Sequence, residues 1–253
     1  MNHILKKNDY KCVTLEQDDS GQHFVTKAYS NQGPEQDRQN AQYISQSLSF
    51  FYQNFSNTVR VPELISTDLD NCKISMEYLP DLPTAKRLRL ADLPLARDFF
   101  QACYQQTSDA GFLRDIADSV IINPDIQVLL NSDFPLTLGF RGDLSENLVL
   151  GDNQLILADI DSIGLEPLGL SELILYAERF GSTWLHPAVL SLLAPPPTPV
   201  AFAFLNRNQA QNLIEAALAV LSNRMNRVPR LLRNVKYALA DKMLRRTLHL
   251  HYR

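Results

Sequence analysis

Acidic and amide side chains of the kind that bind metals lie together in one short stretch of the sequence. Asp143 and Asn147 precede an apolar run, and Asp159 and Asp161 follow a second one. The turn-forming pair at 152–153 lies between the runs and predicts a hairpin, in which residues whose numbers sum to about 305 face each other. The hairpin would bring Asn147 close to Asp159, and amide and carboxylate oxygens suit Mg²⁺. The alternative, in which these residues only cap turns, stays open at this point.

The elements that must position these side chains follow from local patterns. Ile44, Leu48, Phe51 and Phe55 recur at helical spacing and form one apolar stripe. The predicted elements are a hairpin over 11–29, a helix from Pro34, strands at 61–66 and 73–79, helices at 91–107 and 111–131, the hairpin about 152–153, a helix at 171–180, and helices at 206–226 and 229–250. This order predicts an α+β chain, with a β-rich lobe over 1–80 and a helical lobe over 81–253.

Five segments of the sequence carry a resemblance to a known family. Residues 141–147 (RGDLSEN), the apolar strand 148–150 and residues 158–161 (ADID) resemble the catalytic loop and metal-binding strand of the protein-kinase-like fold. The resemblance is to the aminoglycoside phosphotransferase and choline kinase branch, including bacterial lipopolysaccharide sugar kinases. Residues 61–64 and 74–80 are similar to the strand before the hinge and the hinge itself. The resemblance implies a bilobal protein-kinase-like fold with a small β-rich N-lobe and a larger helical C-lobe.

The resemblance also implies which residues act on the phosphoryl group. Asp143 would orient the acceptor hydroxyl and take its proton, while Asn147 and Asp159 would hold Mg²⁺ on the ATP phosphates. Asp161 would join the metal site, although capping of the following turn is an equal alternative. The spacing from Asp143 to Asn147 is four residues, where the family usually has five, and Arg141 stands where the family usually has His.

Five residues of the first 80 are implied in nucleotide binding. Lys27 occupies the place of the lysine that contacts the α- and β-phosphates; the alternative is an ordinary solvated strand lysine. The backbone at Glu77, Tyr78 and Leu79 would bind the adenine edge. An acid on the first helix pairs with the lysine in this fold, and helical periodicity favours Asp37. Asp37 equally suits a role in which it only complements the helix N-terminus.

These residues predict an enzyme that uses ATP and Mg²⁺ to phosphorylate a hydroxyl of a sugar, a glycolipid or another small acceptor. Two alternatives remain open. One is a pseudokinase that binds nucleotide or acts as a scaffold without turnover, and the shortened loop favours it. The other is a kinase that acts on protein.

Composition restricts the class of protein further. The chain has 253 residues, 45% of them hydrophobic, and a formal net charge of −4, which excludes a disordered chain. No apolar run reaches the ~18–20 residues that span a bilayer. The start, MNHILKKNDYK, lacks the apolar core of a secretory signal, so we expect a cytoplasmic protein. The three widely spaced cysteines predict reduced thiols rather than disulfides or a zinc site.

The C-terminal segment is strongly basic. Residues 221–253 hold nine Lys and Arg and one acid, Asp241. A basic amphipathic helix of this kind predicts peripheral contact with an anionic membrane surface. The alternative is the last helix of the helical lobe with a solvated basic face. Nucleic acid is not an expected partner, because the tail has few interleaved aromatic residues and the whole chain is acidic.

Overall fold

The computed structural model describes residues 3–106, 126–127, 129, 134–140, 144–152, 154–161, 163–182 and 196–253. The chain divides into two compact units. The β-rich unit comprises Met1–Lys86 and Leu150–Asp161, and the helical unit comprises Arg87–Val149 and Ser162–Arg253. The sequence predicted two contiguous lobes, 1–80 and 81–253. The structure differs in that the later segment Leu150–Asp161 belongs to the β-rich unit.

Five antiparallel strands form the sheet of the β-rich unit. They are β1 (His3–Lys7), β2 (Lys11–Gln17), β3 (His23–Tyr29), β4 (Leu64–Asp68) and β5 (Lys73–Glu77), in the order β1-β2-β3-β5-β4. The predicted hairpin over 11–29 is confirmed as β2 and β3, in which Val13 lies opposite Lys27. The short strand β1 was not predicted, because all of its residues are exposed and show no apolar alternation.

Helix α1 (Pro34–Phe55) confirms the helix predicted from Pro34. Proline suits the first position of a helix because its missing N–H would have no partner there. Leu48, Phe51 and Phe55 are fully buried and Ile44 nearly so, as the predicted stripe requires. Burial of each such side chain stabilises the fold by about 1.5–3 kcal/mol, which attaches α1 to the unit.

After the two-residue strand β6 (Lys86–Arg87), the predicted hairpin about 152–153 is confirmed as strands β8 (Leu148–Leu150) and β9 (Leu155–Leu157). The backbone N–H of Gly151 donates to the Gln154 carbonyl at 2.9 Å and closes the turn. The Arg60 N–H donates to Leu155 O at 2.8 Å, and the Leu157 N–H donates to Arg60 O at 2.9 Å. These backbone bonds explain why the residues after the turn belong to the β-rich unit.

Four helices are described in the helical unit. They are α2 (Arg97–Gln105), preceded by a 3-10 turn (Leu90–Ala96), α3 (Leu170–Ser182), α4 (Arg207–Arg224) and α5 (Arg230–His251). The helices predicted at 91–107, 171–180, 206–226 and 229–250 are thus present, the first of them beginning as a 3-10 turn. The helix predicted at 111–131 lies almost wholly outside the described residues. Helix α5 packs against α3 and α4.

Two short strands of the helical unit were not predicted. Strands β7 (Leu136–Gly139) and β10 (Gly164–Pro167) pair antiparallel, with Gly139 opposite Gly164. Both are four residues long and largely buried, so neither shows the period of two that marks a half-buried strand. Strand β7 leads directly towards the predicted catalytic loop.

A buried carboxyl group connects α3 to the segment before α4. Glu172 accepts hydrogen bonds from the backbone N–H groups of Val200 (2.8 Å) and Ala201 (3.0 Å) and from the Tyr104 hydroxyl (2.8 Å). Burial raises the pKa of Glu172 to about 7, although the three donors act in the opposite direction.

No helix among the described residues is long and apolar enough to cross a bilayer. Cys12, Cys72 and Cys103 are free thiols.

Candidate active site

The centre of the site in the β-rich unit is a cluster of two lysines and two aspartates. The Lys27 ammonium contacts Asp159 Oδ1 at 2.7 Å and Asp161 Oδ1 at 2.8 Å. The Lys11 ammonium contacts the second carboxyl oxygen of Asp161 and lies 3.9 Å from Asp159 Oδ2. Each lysine therefore lies beside both carboxylates. Three of the four residues were expected at the site from the sequence.

Charge within this cluster fixes its protonation. Burial alone would lower the pKa of the Lys27 ammonium, but Asp161 and Asp159 raise it above its ordinary value. Burial would raise the pKa of Asp161, but Lys27 and Lys11 hold it well below its usual range. Asp161 and Lys27 are therefore both charged at neutral pH, and the side chains of Lys27 and Lys11 are almost wholly buried.

Lys11 is the site residue that sequence reasoning missed. It is 5% exposed on β2 and lies opposite Tyr29, while Val13 lies opposite Lys27. Residues two apart on a strand project from the same face, so Lys11 shares the face on which Lys27 lies. The register of the predicted 11–29 hairpin contains this signal, since it places the two lysines on one side of the sheet.

An apolar cavity adjoins the cluster within the β-rich unit. It has a volume of about 160 Å³, and Lys27 and Asp159 line one part of it. Its apolar lining comes from β2, β3, β5 and the residues after them: Val13, Val25, Met76, Leu79 and Leu82. Small-molecule sites usually have ~300–1,000 Å³, so this cavity encloses only part of a nucleotide-sized ligand, such as its base.

The segment Glu77–Leu79 lines the same cavity. The Glu77 N–H donates to Glu63 O at 2.8 Å, and the Glu77 carboxylate pairs with Arg60 at 3.0 Å. The Leu79 carbonyl accepts from the Leu82 N–H at 3.1 Å. Within the described part of the chain, no hydrogen bond engages the Leu79 N–H. Of the predicted hinge groups, the Glu77 N–H is thus already bonded and the Leu79 N–H has no such bond.

The structure differs from the prediction for Asp37. Among the described residues, Lys27 pairs with Asp159 and Asp161, and its pairing with Asp37 is not found. The Asp37 carboxylate instead accepts a hydrogen bond from the Gln32 N–H at 3.3 Å. Asp37 is in the first turn of α1, where its short side chain reaches the backbone just before the helix. Its contact supports the alternative role at the helix N-terminus.

The predicted catalytic loop belongs to the helical unit. Residues 141–143, including the predicted base Asp143, lie outside the described residues. Asn147 is half-buried in a turn in which its N–H donates to Leu144 O at 3.1 Å. The Leu148 N–H donates to the same carbonyl at 2.9 Å. The turn fixes the backbone of the second half of the loop.

A buried carboxylate fixes the strand that enters the loop. Glu166, 2% exposed, accepts the Phe140 N–H at 3.2 Å and both the N–H and the hydroxyl of Ser171 at 2.8 Å each. A Cβ added at Gly139 would lie 2.0 Å from Glu166 Cδ. Glycine at 139 therefore leaves the space that this carboxylate occupies.

Two arginines hold the loop at Ser145. Arg179 of α3 donates through Nη2 to Ser145 O at 2.8 Å. Arg224, at the end of α4, donates through Nη1 to Ser145 Oγ at 3.2 Å. Ser145 is 4% exposed, so both contacts lie at a buried point of the loop.

The aspartate pair supplies carboxylate oxygens of the kind that Mg²⁺ prefers. No cluster of three or more His, Cys, Asp or Glu that could hold a metal occurs among the described residues. Mg²⁺ is commonly held by one or two carboxylates together with waters and substrate phosphates. Asp159 and Asp161 meet that requirement, and their neighbours Lys11 and Lys27 carry the charge that attracts phosphates.

Comparison with solved structures identifies the fold. Macrolide 2'-phosphotransferase MphH from Brachybacterium faecium matches at a TM-score of 0.52 and 14% identity, covering 95% of this chain and 92% of that one. The chain has the aminoglycoside phosphotransferase and choline kinase fold. Its α+β composition, with a five-stranded antiparallel sheet in the first unit and helices in the second, agrees with that phosphotransferase fold.

Two other similarities are weaker. A thermostable mutant of aminoglycoside phosphotransferase APH(4)-Ia, in ternary complex with AMP-PNP and hygromycin B, matches at a TM-score of 0.48 and 13% identity, covering 97% of this chain and 94% of that one. A choline/ethanolamine kinase family protein from Mesorhizobium loti matches at 0.44 and 11%, covering 99% and 92%. No protein-family model matches the chain. No curated protein matches it either.

Proposed function

We propose that this chain is a phosphotransferase that moves the γ-phosphoryl group of ATP to a hydroxyl of a sugar or another small acceptor. The observation that carries the proposal is the contact of Lys27 with both Asp159 and Asp161 beside the apolar cavity. Phosphoryl transfer needs positioned phosphates and neutralised charge more than covalent help from the protein. In this cluster Lys27 supplies a cation for phosphate oxygens, and Asp159 and Asp161 supply carboxylate oxygens for a metal ion.

Each residue has a separate role in this proposal. Asp159, Asp161 and Asn147 would hold Mg²⁺, which supplies charge neutralisation at the phosphates when bound. Lys27 and Lys11 would bind phosphate oxygens, and the Leu79 N–H would donate to the base in the apolar cavity. Asp143 would accept the proton of the acceptor hydroxyl.

The experiment is a nucleotide-induced thermal shift, measured with AMP-PNP in the presence and absence of Mg²⁺. Asp159→Asn should weaken Mg-dependent binding at least about tenfold, because it removes a charged metal ligand. Asp152→Asn is the matched control, since Asp152 is an exposed acid in the same hairpin. Equal loss in both variants, or none in either, would contradict the metal role.

Turnover separates the enzyme from its alternative. ADP release with a panel of amino sugars, macrolides and lipid-linked sugars should depend on the acceptor and vanish in Asp143→Ala. Nucleotide binding that needs no Mg²⁺, without ADP release for any acceptor, would favour a nucleotide-binding module that lacks catalysis.

Peripheral membrane contact is proposed for the start of α5. The second half of this helix is anchored by buried Met243 and Leu244, which supports its place as the last helix of the helical unit. Its first half exposes Leu231 (80%) and Val235 (46%) beside Arg233. Co-sedimentation with vesicles that contain phosphatidylglycerol tests this contact, and Leu231→Gln should weaken it. Equal sedimentation with neutral phosphatidylcholine vesicles would remove its support.

A further inference from the structure

A second cavity lies within the helical unit, and the proposed transfer reaction does not use it. Its volume is about 580 Å³, within the ~300–1,000 Å³ typical of small-molecule sites. It is lined by parts of α3, α4 and α5 and by the loop at Ser145 and Glu146. Gly181 lines it where α3 passes close to α5, since an added Cβ would lie 3.2 Å from Lys236 O. The cavity is therefore a feature of helix packing within one unit.

The charged side chains of this cavity are mainly basic. Its lining includes four basic residues and two acidic ones, a formal net charge of +2. The basic residues are Arg87, Arg179, Arg224 and Lys236, and the acidic residues are Glu146 and Glu178. An excess of this sign in a chain whose formal net charge is −4 marks the cavity as distinct from the average surface.

The acids compensate two of the four basic residues. Arg224 pairs with Glu178 at 2.5 Å, and Arg87 pairs with Glu146 at 3.3 Å. Lys236 is half-buried and makes no ion pair with any residue that the structure describes. A cationic side chain that has no counter-ion is free to pair with an anion bound beside it.

We propose that this cavity binds a phosphate monoester. Such a group carries a charge of about −2, which equals the excess of the lining in magnitude. Guanidinium groups present paired donors that match phosphate oxygens, and the ammonium adds a point charge. The volume exceeds that of a phosphate alone, and the apolar side chains of Leu221 and Met225 can contact the organic part of the ligand. The ligand is either a soluble monoester or a lipid headgroup of the same chemistry.

Occupancy of this cavity would act on the loop at Ser145. Arg179 and Arg224 both line the cavity and both hold Ser145. A phosphate that accepts hydrogen bonds from these guanidinium groups would therefore compete with their hydrogen bonds to Ser145. The binding site itself does not depend on the proposed transfer reaction.

Binding is tested by isothermal titration of the full chain with inorganic phosphate and with glycerol 3-phosphate. Lys236→Gln should weaken binding about tenfold, because it removes the cation that has no counter-ion. Glu146→Gln should strengthen it about threefold, because it removes an opposing charge that is largely exposed. Lys242→Gln is the matched control, an exposed lysine of α5 outside the cavity, and should change nothing.

Two further measurements distinguish this cavity from the site at Lys27, and a soluble phosphate monoester from a lipid headgroup. Lys27→Gln should leave the glycerol 3-phosphate affinity unchanged, since Lys27 belongs to the β-rich unit. Co-sedimentation with phosphatidylcholine vesicles, with and without phosphatidic acid, distinguishes a lipid headgroup from a soluble monoester. The proposal is overturned if neither phosphate compound binds, or if Lys27→Gln abolishes binding while Lys236→Gln and Glu146→Gln leave it unchanged.

Discussion

Substitution of Gly139 by alanine tests how the strand that enters the predicted catalytic loop is held. The new Cβ would lie 2.0 Å from Glu166 Cδ, about 1.4 Å short of ordinary contact. Overpacking of a buried site costs about 1–3 kcal/mol. Displacement of Glu166 also breaks at least one of its bonds to Phe140 and Ser171, each worth about 1.5–3 kcal/mol to a charged acceptor. We expect Gly139→Ala to lower the free energy of unfolding by about 3–5 kcal/mol.

Urea unfolding followed by circular dichroism measures this loss. Gly151→Ala is the matched control, since its added Cβ would lie 2.9 Å from Ile156 Cδ1 and 3.3 Å from Gln154 O, a much smaller overlap, and should cost clearly less than Gly139→Ala. Glu166→Ala removes the obstacle, so adding Gly139→Ala to that variant should cost little more. The reasoning is refuted if Gly139→Ala costs the same with and without Glu166.

Three further outcomes are expected from buried or capping groups. Glu172 has a pKa raised to about 7 from an ordinary 4.5, so the folded state retains a proton that the unfolded state loses. The free energy of unfolding should therefore fall by about 3 kcal/mol as the pH rises from about 4.5 to 7. In Glu172→Gln, the urea midpoint should depend much less on pH across this range. Asn206→Ala removes the capping box with Gln209 at the start of α4 and should cost about 1 kcal/mol by the same assay. Tyr29 has a buried hydroxyl with no hydrogen-bond partner among the described residues, so Tyr29→Phe should leave the free energy of unfolding unchanged or raise it by about 1 kcal/mol. A decrease of more than about 1 kcal/mol would show that the hydroxyl does have a partner.

Elements with a local pattern were predictable from the sequence. Helix α1 has an apolar stripe and a favourable first turn, and the residues at 152–153 favour a tight reversal whatever the rest of the chain does. The register of that reversal follows from its position alone. That register places Asp159 at the open end of the hairpin, whereas the role of Asp161 was implied by the resemblance to the phosphotransferase family.

Elements and contacts that depend on distant parts of the chain were not predictable in the same way. Strands β7 and β10 gain their partners only from each other, across more than 20 residues of sequence. The predicted pairing of Asp37 with Lys27 is not found for a related reason. Periodicity gives the face of a helix on which a residue lies, but not how far its short side chain reaches. The carboxylates that Lys27 does contact lie more than 130 residues away in the chain.

The pairing of Arg60 with β9, the second strand of the hairpin about 152–153, has a consequence for synthesis. Its partner Leu155 follows it by roughly 95 residues, so the first unit lacks its final strand until that later stretch has left the ribosome. A fragment that ends at Lys86 would expose the backbone groups of Arg60 and the apolar surface that the returning segment covers. The Arg60 backbone groups therefore stay without these partners while the first part of the helical unit is made.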